Sequence, residues 1–328
     1  MSNLGAVAGQ RVDALLRNVE LSLSATFYPL GFRLELATNS RDVVEAAAEA
    51  WGPFRAEFEG PPLELRVTVQ EQGEAAPEPV FRAQGHLFSI VADRDNLAVF
   101  DPQSMFGFCC VSAKTAADHA GFRWHFLEAL VYMMLAQRHV VPVHGACVAR
   151  HGSGVLLCGV SGAGKSTLAY ACARAGWTFI GDDTIMLLPE SDDRVGIGKP
   201  HQARFRLDAP ELFPELAGQA AGARPGGKMG MEVALGQLPQ IRTASHCTID
   251  TVVFLERGQG VPAHGEPMPA AEVLDRLLEE GPAYGDEVLA RHEKAIRRIT
   301  GMPAYRMRYD TLEEAVELLA KLTCREPQ

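Results

Sequence analysis

Short apolar-rich runs recur through the first third of the chain: LELRVTV (63–69), HLFSIVA (86–92), LAVF (97–100) and FGFCCVS (106–112). Their length and β-rich composition predict strands, and the polar QEQGEAAPEP stretch after the first predicts a turn or exposed loop. SRDVVEAAAEAW (40–51) interrupts them with a helical pattern that Ser40 can cap. Together these predict a small α+β domain over residues 1–114, whose chemistry the sequence does not reveal. From Thr115 to Gln137 the apolar positions Phe122, Phe126, Ala129, Leu130, Met133 and Met134 recur at steps of three and four. That period predicts a helix leading into a second domain, 115–328.

In the second domain VHGACVA (143–149) and GVLLCG (154–159) read as strands joined by a turn at RHGSG. KSTLAYACARAG (165–176) then reads as a helix closed by Gly176, and WTFI (177–180) as the strand returning to the same end. AGQAAGARPGGKMG (217–230), with Arg224 and Lys228, has no periodicity and reads as a mobile loop. TIDTVVFLER (248–257) is a further strand, ending near Glu256. Helices follow near 269–280 and 286–299, then the strand AYRMRY (304–309). A last helix starts at Thr311, which stands at capping-box spacing from Glu314.

Composition changes this picture little. The chain has 328 residues, 47% of them hydrophobic, which is enough for a sizeable core and two domains. The net charge of −10, with Lys and Arg scattered, argues against a nucleic-acid partner. Seven cysteines without paired spacing read as reduced, buried thiols and point to the cytoplasm. The start of the chain does not read as a secretory leader, and the longest apolar stretch, ALVYMMLA (129–136), is too short to span a membrane. Whether the chain forms a homo-oligomer is left open.

The candidate chemistry begins where the second run of the second domain, GVLLCG, ends. Gly159, Ser161, Gly162, Ala163, Gly164, Lys165, Ser166 and Thr167 belong to a stretch matching G-x-x-x-x-G-K-[ST], preceded by a strand pattern and followed by a helical one. Glycines there let backbone N–H groups face phosphate oxygens; the helix N-terminus adds positive charge, Lys165 neutralises the outer phosphates, and Ser166 can ligate Mg²⁺. This motif predicts ATP as ligand and Mg²⁺ as cofactor. Asp182 and Asp183 by themselves would make a solvated turn. One helix and one strand after Lys165, they arrive where phosphoryl transfer needs a metal carboxylate and a general base. His144 alone would more often be a core histidine than a functional one.

The stretch from Val141 to Leu188 resembles the catalytic core of the HPr serine kinase/phosphorylase family, in which a His-Gly pair, two strands, a Walker A loop and an Asp-Asp turn follow in this order. The segments KPHQARFRLDAPELF and PAYRMRYDTLEEAVELLAKL are similar to the divergent HprK-related kinases, and the second glycine- and arginine-containing signature of the HPr enzymes has no counterpart. The resemblance implies an α/β fold in which a P-loop domain is built on a mixed β-sheet with flanking helices. It implies that Asp182 is the general base, that Asp183 belongs with Ser166 and His144 to the metal and histidine network, and that His144 orients the aspartates. The expected activity is Mg-ATP-dependent transfer to a hydroxyl, a serine of a protein or peptide acceptor other than HPr. An ATP-binding switch protein and a simple ATPase stay open, as does the choice of base within the pair.

Weaker candidates complete the reading. Arg204 and Arg206 alternate, as on one face of a strand, and could hold a phosphate or an acidic acceptor. Glu256 rivals Asp183 as the metal carboxylate. Arg291, Lys294, Arg297 and Arg298 form a basic helix face expected to be solvated.

Overall fold

The computed structural model describes residues 19–189, 193–219, 221–223, 229–238, 240–279 and 285–323. It is a mixed α/β structure that divides into two compact units, the first mostly 1–130 and the second mostly 131–328. Arg224 and Lys228, and the middle of the expected mobile loop, lie outside the described residues.

The first unit is built on a seven-stranded sheet. In chain order it has β1 (Leu23–Phe27), β2 (Leu34–Thr38), α1 (Arg41–Trp51), β3 (Leu63–Gln70), β4 (Val80–Gln84), β5 (Leu87–Val91), β6 (Leu97–Asp101) and β7 (Phe106–Ser112). The spatial order is β1-β2-β3-β7-β6-β5-β4, parallel only across β2-β3-β7. Leu63, Leu65 and Val67 of β3 turn inward while Glu64 and Arg66 stay exposed, the alternation of a half-buried strand. Helix α1 buries Val43, Ala46, Ala47, Ala50 and Trp51, one stripe at helical spacing. Strand β4 was not expected from the pattern; all five of its residues are exposed, so no burial imprints a period on it.

The single helix expected over 115–137 is four pieces: α2 (Ala113–Ala117), α3 (His119–Phe122), a π-helical turn at Arg123–Leu127, and α4 (Glu128–Arg138). The break comes at Asp118, whose side chain accepts the Gly121 N–H and starts a new helix. The change of unit falls inside α4.

The second unit contains β8 (Val141–His144), β9 (Ala146–Arg150), β10 (Ser153–Cys158), α5 (Lys165–Arg174), β11 (Thr178–Gly181), β12 (Thr184–Leu187), β13 (Val195–Ile197), β14 (Gln202–Phe205), α6 (Ala209–Leu212), β15 (Ala221–Ala223), β16 (Met229–Ala234), β17 (Arg242–Thr243), β18 (His246–Arg257), β19 (His264–Pro267), α7 (Ala270–Glu279), α8 (Gly285–Thr300), β20 (Ala304–Tyr309) and α9 (Leu312–Thr323). Its main sheet runs β17-β11-β9-β10-β18-β13-β12-β8, with β20 and β19 added beside β18, and β14-β16-β15 form a small separate sheet. Strand β10 is parallel to β18, which is parallel to β20.

Alternation in β10 divides two cores. Val155 and Leu157 pack with Leu168 and Leu319 of α5 and α9, while Leu156 and Cys158 pack with Val273 and Ile296 of α7 and α8. With both faces covered, residues 251–255 of β18 are buried without a gap, as for a central strand between helix layers. The basic face of α8 is solvated only in part: Lys294 and Arg297 are exposed, the latter pairing with Glu293, whereas Arg291 donates to the Ala136 carbonyl at 2.8 Å and Arg298 to that of Pro189.

The expected continuous strand VHGACVA is broken at Gly145. Strand β8 pairs with β12, whereas β9 pairs with β10 and β11, so the chain changes place in the sheet at this residue. A Cβ at Gly145 would lie 2.9 Å from the Leu157 carbonyl oxygen. The β11–β12 connection makes a matching change at Asp182-Asp183, and the Gly145 N–H donates to the Asp183 carbonyl at 3.2 Å, joining the two crossings.

Candidate active site

The loop between β10 and α5 takes its shape from three glycines. Gly159, Gly162 and Gly164 have φ of 139°, 91° and 94°, in the region that other residues adopt at a cost. Gly164 precedes α5 directly, and a Cβ there would lie 2.5 Å from the Tyr309 hydroxyl. That hydroxyl donates to the Ala163 carbonyl at 3.0 Å, so the fully buried Tyr309 holds the loop from the end of β20. Lys165, 7% exposed, bends its ammonium back to the Gly159 carbonyl at 2.5 Å and the Val160 carbonyl at 3.3 Å.

The two crossings bring the other residues to this loop. Because β8 and β12 run antiparallel with Thr184 opposite His144, the histidine stands beside the aspartate turn. Asp183 has φ 66°, a left-handed conformation that Asp tolerates better than most residues. Its carboxylate lies 3.9 Å from His144 Nδ1 and 3.8 Å from the Arg204 guanidinium. Asp182 points the other way and is buried, 8% exposed. It accepts the Arg204 backbone N–H at 3.0 Å and a hydrogen bond from the Ser166 hydroxyl. Burial pushes its carboxyl up to about 6; the Arg204 N–H bond opposes this, the Asp183 charge adds to it, and the Arg204 guanidinium and Ser166 hydroxyl pull it down.

These groups surround a cavity of about 300 Å³, whose walls include Ser161, Gly162, Gly164, Lys165, Ser166 and Thr167 from the loop and helix. His144 and Asp183 face it from the crossings, Arg204 and Arg206 from β14 and its end, and Arg257 from the end of β18. Gly159 and Ala163 shape the loop from behind, and Asp182 lies behind Ser166. Two expectations need correction in detail. Strand β14 ends at Phe205, so Arg206 lies past it rather than on one strand face with Arg204, although both reach the cavity. Glu256 is not among the cavity residues; it pairs with Arg308 at 2.9 Å and Arg306 at 3.4 Å across β18 and β20. Arg257 and Tyr309 had no signal in the sequence beyond their places at strand ends.

The site suits a polyphosphate on its own geometry: a glycine-lined cradle where a Cβ would collide, a helix N-terminus and a buried lysine. The oxygen donors of Ser166, Asp182 and Asp183 are hard ligands of the kind Mg²⁺ takes.

A family model described as SynChlorMet cassette protein ScmC matches residues 108–196, a stretch from β7 to β13 that includes the glycine loop and the aspartate turn. Comparison with curated proteins returns no match. Among solved structures the chain is similar to the Hpr(Ser) kinase/phosphatase from Coxiella burnetii, at 12% identity and a TM-score of 0.32, over 55% of this chain and 94% of that one.

Proposed function

We propose that the chain is a Mg-ATP-dependent kinase that transfers the γ-phosphate to a hydroxyl, a serine of a protein or peptide other than HPr. The observation that carries this reading is the meeting of Lys165, Ser166, His144 and Asp183 around one cavity, with the buried Asp182 hydrogen-bonded to Ser166 beside it. A nucleotide switch needs no proton acceptor beside the terminal phosphate, whereas transfer to a hydroxyl does. Loop N–H groups and Lys165 would hold the phosphates. Asp182 would accept the hydroxyl proton, since a carboxyl raised to about 6 is suited to a base working near neutrality. Asp183 and Ser166 would hold Mg²⁺, with His144 and Arg204 orienting Asp183. Mg²⁺, when bound, would neutralise charge on the phosphate oxygens.

One observation favours the exchange of roles within the pair. The Ser166 hydroxyl is hydrogen-bonded to Asp182, and it is Asp183 that lines the cavity. In that arrangement Asp182 and Ser166 hold the metal and Asp183 takes the proton. The two assignments separate by the Mg²⁺ dependence of ATP binding: the Asn variant of the metal carboxylate needs more Mg²⁺, and that of the base does not.

The first test is thermal denaturation with ATP, ADP and EDTA. At a hundredfold excess of ligand over Kd the parent protein gains about 2.7 kcal/mol of stability. Lys165→Ala should lose most of it, because alanine cannot replace a point charge on phosphate. Equal gains in parent and variant remove the phosphate-site assignment. Label from γ-phosphate appearing on serine-containing peptides, but not on HPr, then separates the kinase from the ATPase and the switch.

A further inference from the structure

We infer that a second cavity of this unit holds the purine nucleoside of the nucleotide; the inference rests on the phosphate-site reading above. This cavity, about 640 Å³, lies between Ala171 and Arg174 on the last turns of α5, Leu212 and Phe213 at the end of α6, and Leu312 and Val316 on the first turns of α9. Leu212 and Arg257 line both it and the glycine-loop cavity, so the two are neighbours with a shared wall. Arg257 is central to that wall: its Cδ would be 4.0 Å from a Cβ at Gly164, and its guanidinium stands 5.1 Å over the Tyr309 ring.

The length and chemistry of the space fit one occupant. Helix α5 begins at Lys165 and ends at Arg174, about 14 Å apart along its axis, a separation that a triphosphate and ribose can follow. The walls combine apolar side chains, Leu212, Phe213, Leu312 and Val316 among them, with polar groups, as in cavities that take small organic ligands. Those polar groups include the exposed Glu313 and Glu317, which accept hydrogen bonds from an amino group on a base and from ribose hydroxyls. With Asp310 they outnumber Arg174 and Arg257 in the same walls, so the net charge opposes a second phosphate. The phosphates therefore belong at the Lys165 end and the nucleoside at the α9 end, with Arg257 between them.

The test compares ATP with inorganic tripolyphosphate, both with Mg²⁺, by calorimetric titration of the full chain and of Val316→Trp and Ala175→Trp. Ala175 lines the same cavity but is exposed past the end of α5, so this variant keeps the test valid where Val316→Trp unfolds, as circular dichroism reports. The parent should bind ATP at least tenfold more tightly than tripolyphosphate. Filling the cavity should weaken ATP tenfold or more while changing tripolyphosphate less than twofold. Equal affinities of the parent for both probes, or variants that bind ATP unchanged or lose both probes alike, overturn the nucleoside placement and leave the phosphate site standing. A cavity filled at the expense of peptide KM alone likewise overturns it in favour of an acceptor subsite. Binding of neither probe by the parent removes the phosphate site, and the inference with it.

Discussion

The polar centre at Asn96 in the first unit and the one at Asp182 in the second differ in kind. In the first unit the fully buried Asn96 accepts from the Ser112 N–H at 3.0 Å and the Thr115 hydroxyl at 2.6 Å, and its amide donates to Asp93 and the Glu74 carbonyl. Asn96 itself carries no charge and is satisfied by its neighbours, the Asp93 carboxylate among them, and the arrangement stabilises the turns around it. The second unit instead buries Lys165 and Asp182 within its candidate site. Each is hydrogen-bonded, yet Asp182 is held at a raised pKa, which means that its ionised form costs stability. Groups perturbed by burial beside other charges cluster at functional sites.

The sharpest way to break this contrast is to remove the charge at Asp182 without changing its shape. Asp182→Asn should cost roughly 10²–10⁴-fold in phosphoryl transfer, the usual worth of a positioned base, while ATP still binds. Calorimetry beside a radiolabel assay reads both; transfer at the parent rate moves the role of base to Asp183.

Next in size is Asn96→Ala, which strands the Ser112 N–H in the interior and leaves the Thr115 hydroxyl to the Ser112 hydroxyl alone as acceptor. The expected loss is about 3 kcal/mol, from one orphaned buried donor and the hydrogen bonds lost with the amide. Because Asn96 does not ionise, urea denaturation should give the same loss at pH 6 and pH 8. A strongly pH-dependent loss would mean that the stability of this centre depends on a titrating group rather than on the Asn96 amide.

The stability of Asp182→Asn should move the other way. The folded carboxyl, at about 6, titrates above its ordinary value of 3.8. Its ionisation therefore penalises the folded state fully above pH 6, and the penalty fades as pH falls from 6 towards 3.8. The variant should gain up to about 3 kcal/mol at pH 8 and little at pH 4. Urea midpoints across this range check it, and a variant less stable than the parent at pH 8 contradicts the burial argument.

Two smaller effects sharpen the picture of the site. Transfer should fall about tenfold per pH unit below about 6 as Asp182 protonates, and Arg204→Gln should shift that limb upward by less than a unit, because the guanidinium favours the ionised carboxyl. Tyr309→Phe should cost about 1 kcal/mol by releasing the Ala163 carbonyl, and should weaken nucleotide binding more than a distant core change of equal cost. Unchanged binding in that variant would show that the loop holds its shape without the tyrosine.

Local signals account for what was legible before any coordinates. The loop from Gly159 to Ser166, helix α5 and its closing Gly176, and strands β7, β18 and β20 all announce themselves through short-range rules: glycine where φ is positive, apolar runs where strands are buried, a helical period after a glycine turn. The helix expected over 115–137 was over-read because its apolar period continues through the restart at Asp118. Strand β4 left no trace because it buries nothing.

What the sequence determined by itself is therefore what neighbouring residues carry: a loop turned by glycines with a lysine and a hydroxyl behind it, and a carboxylate pair placed to return towards it. Only the tertiary structure decided which side chains meet. His144 reaches Asp183 because β8 and β12 pair antiparallel beyond two chain crossings, Asp182 is buried where the Arg204 N–H and the Ser166 hydroxyl reach it, and Tyr309 and Arg257 reach the loop because β18 and β20 lie side by side in parallel. Those pairings join residues far apart in the chain through sheet register, and register is set by the burial of whole strands rather than by any short stretch of residues.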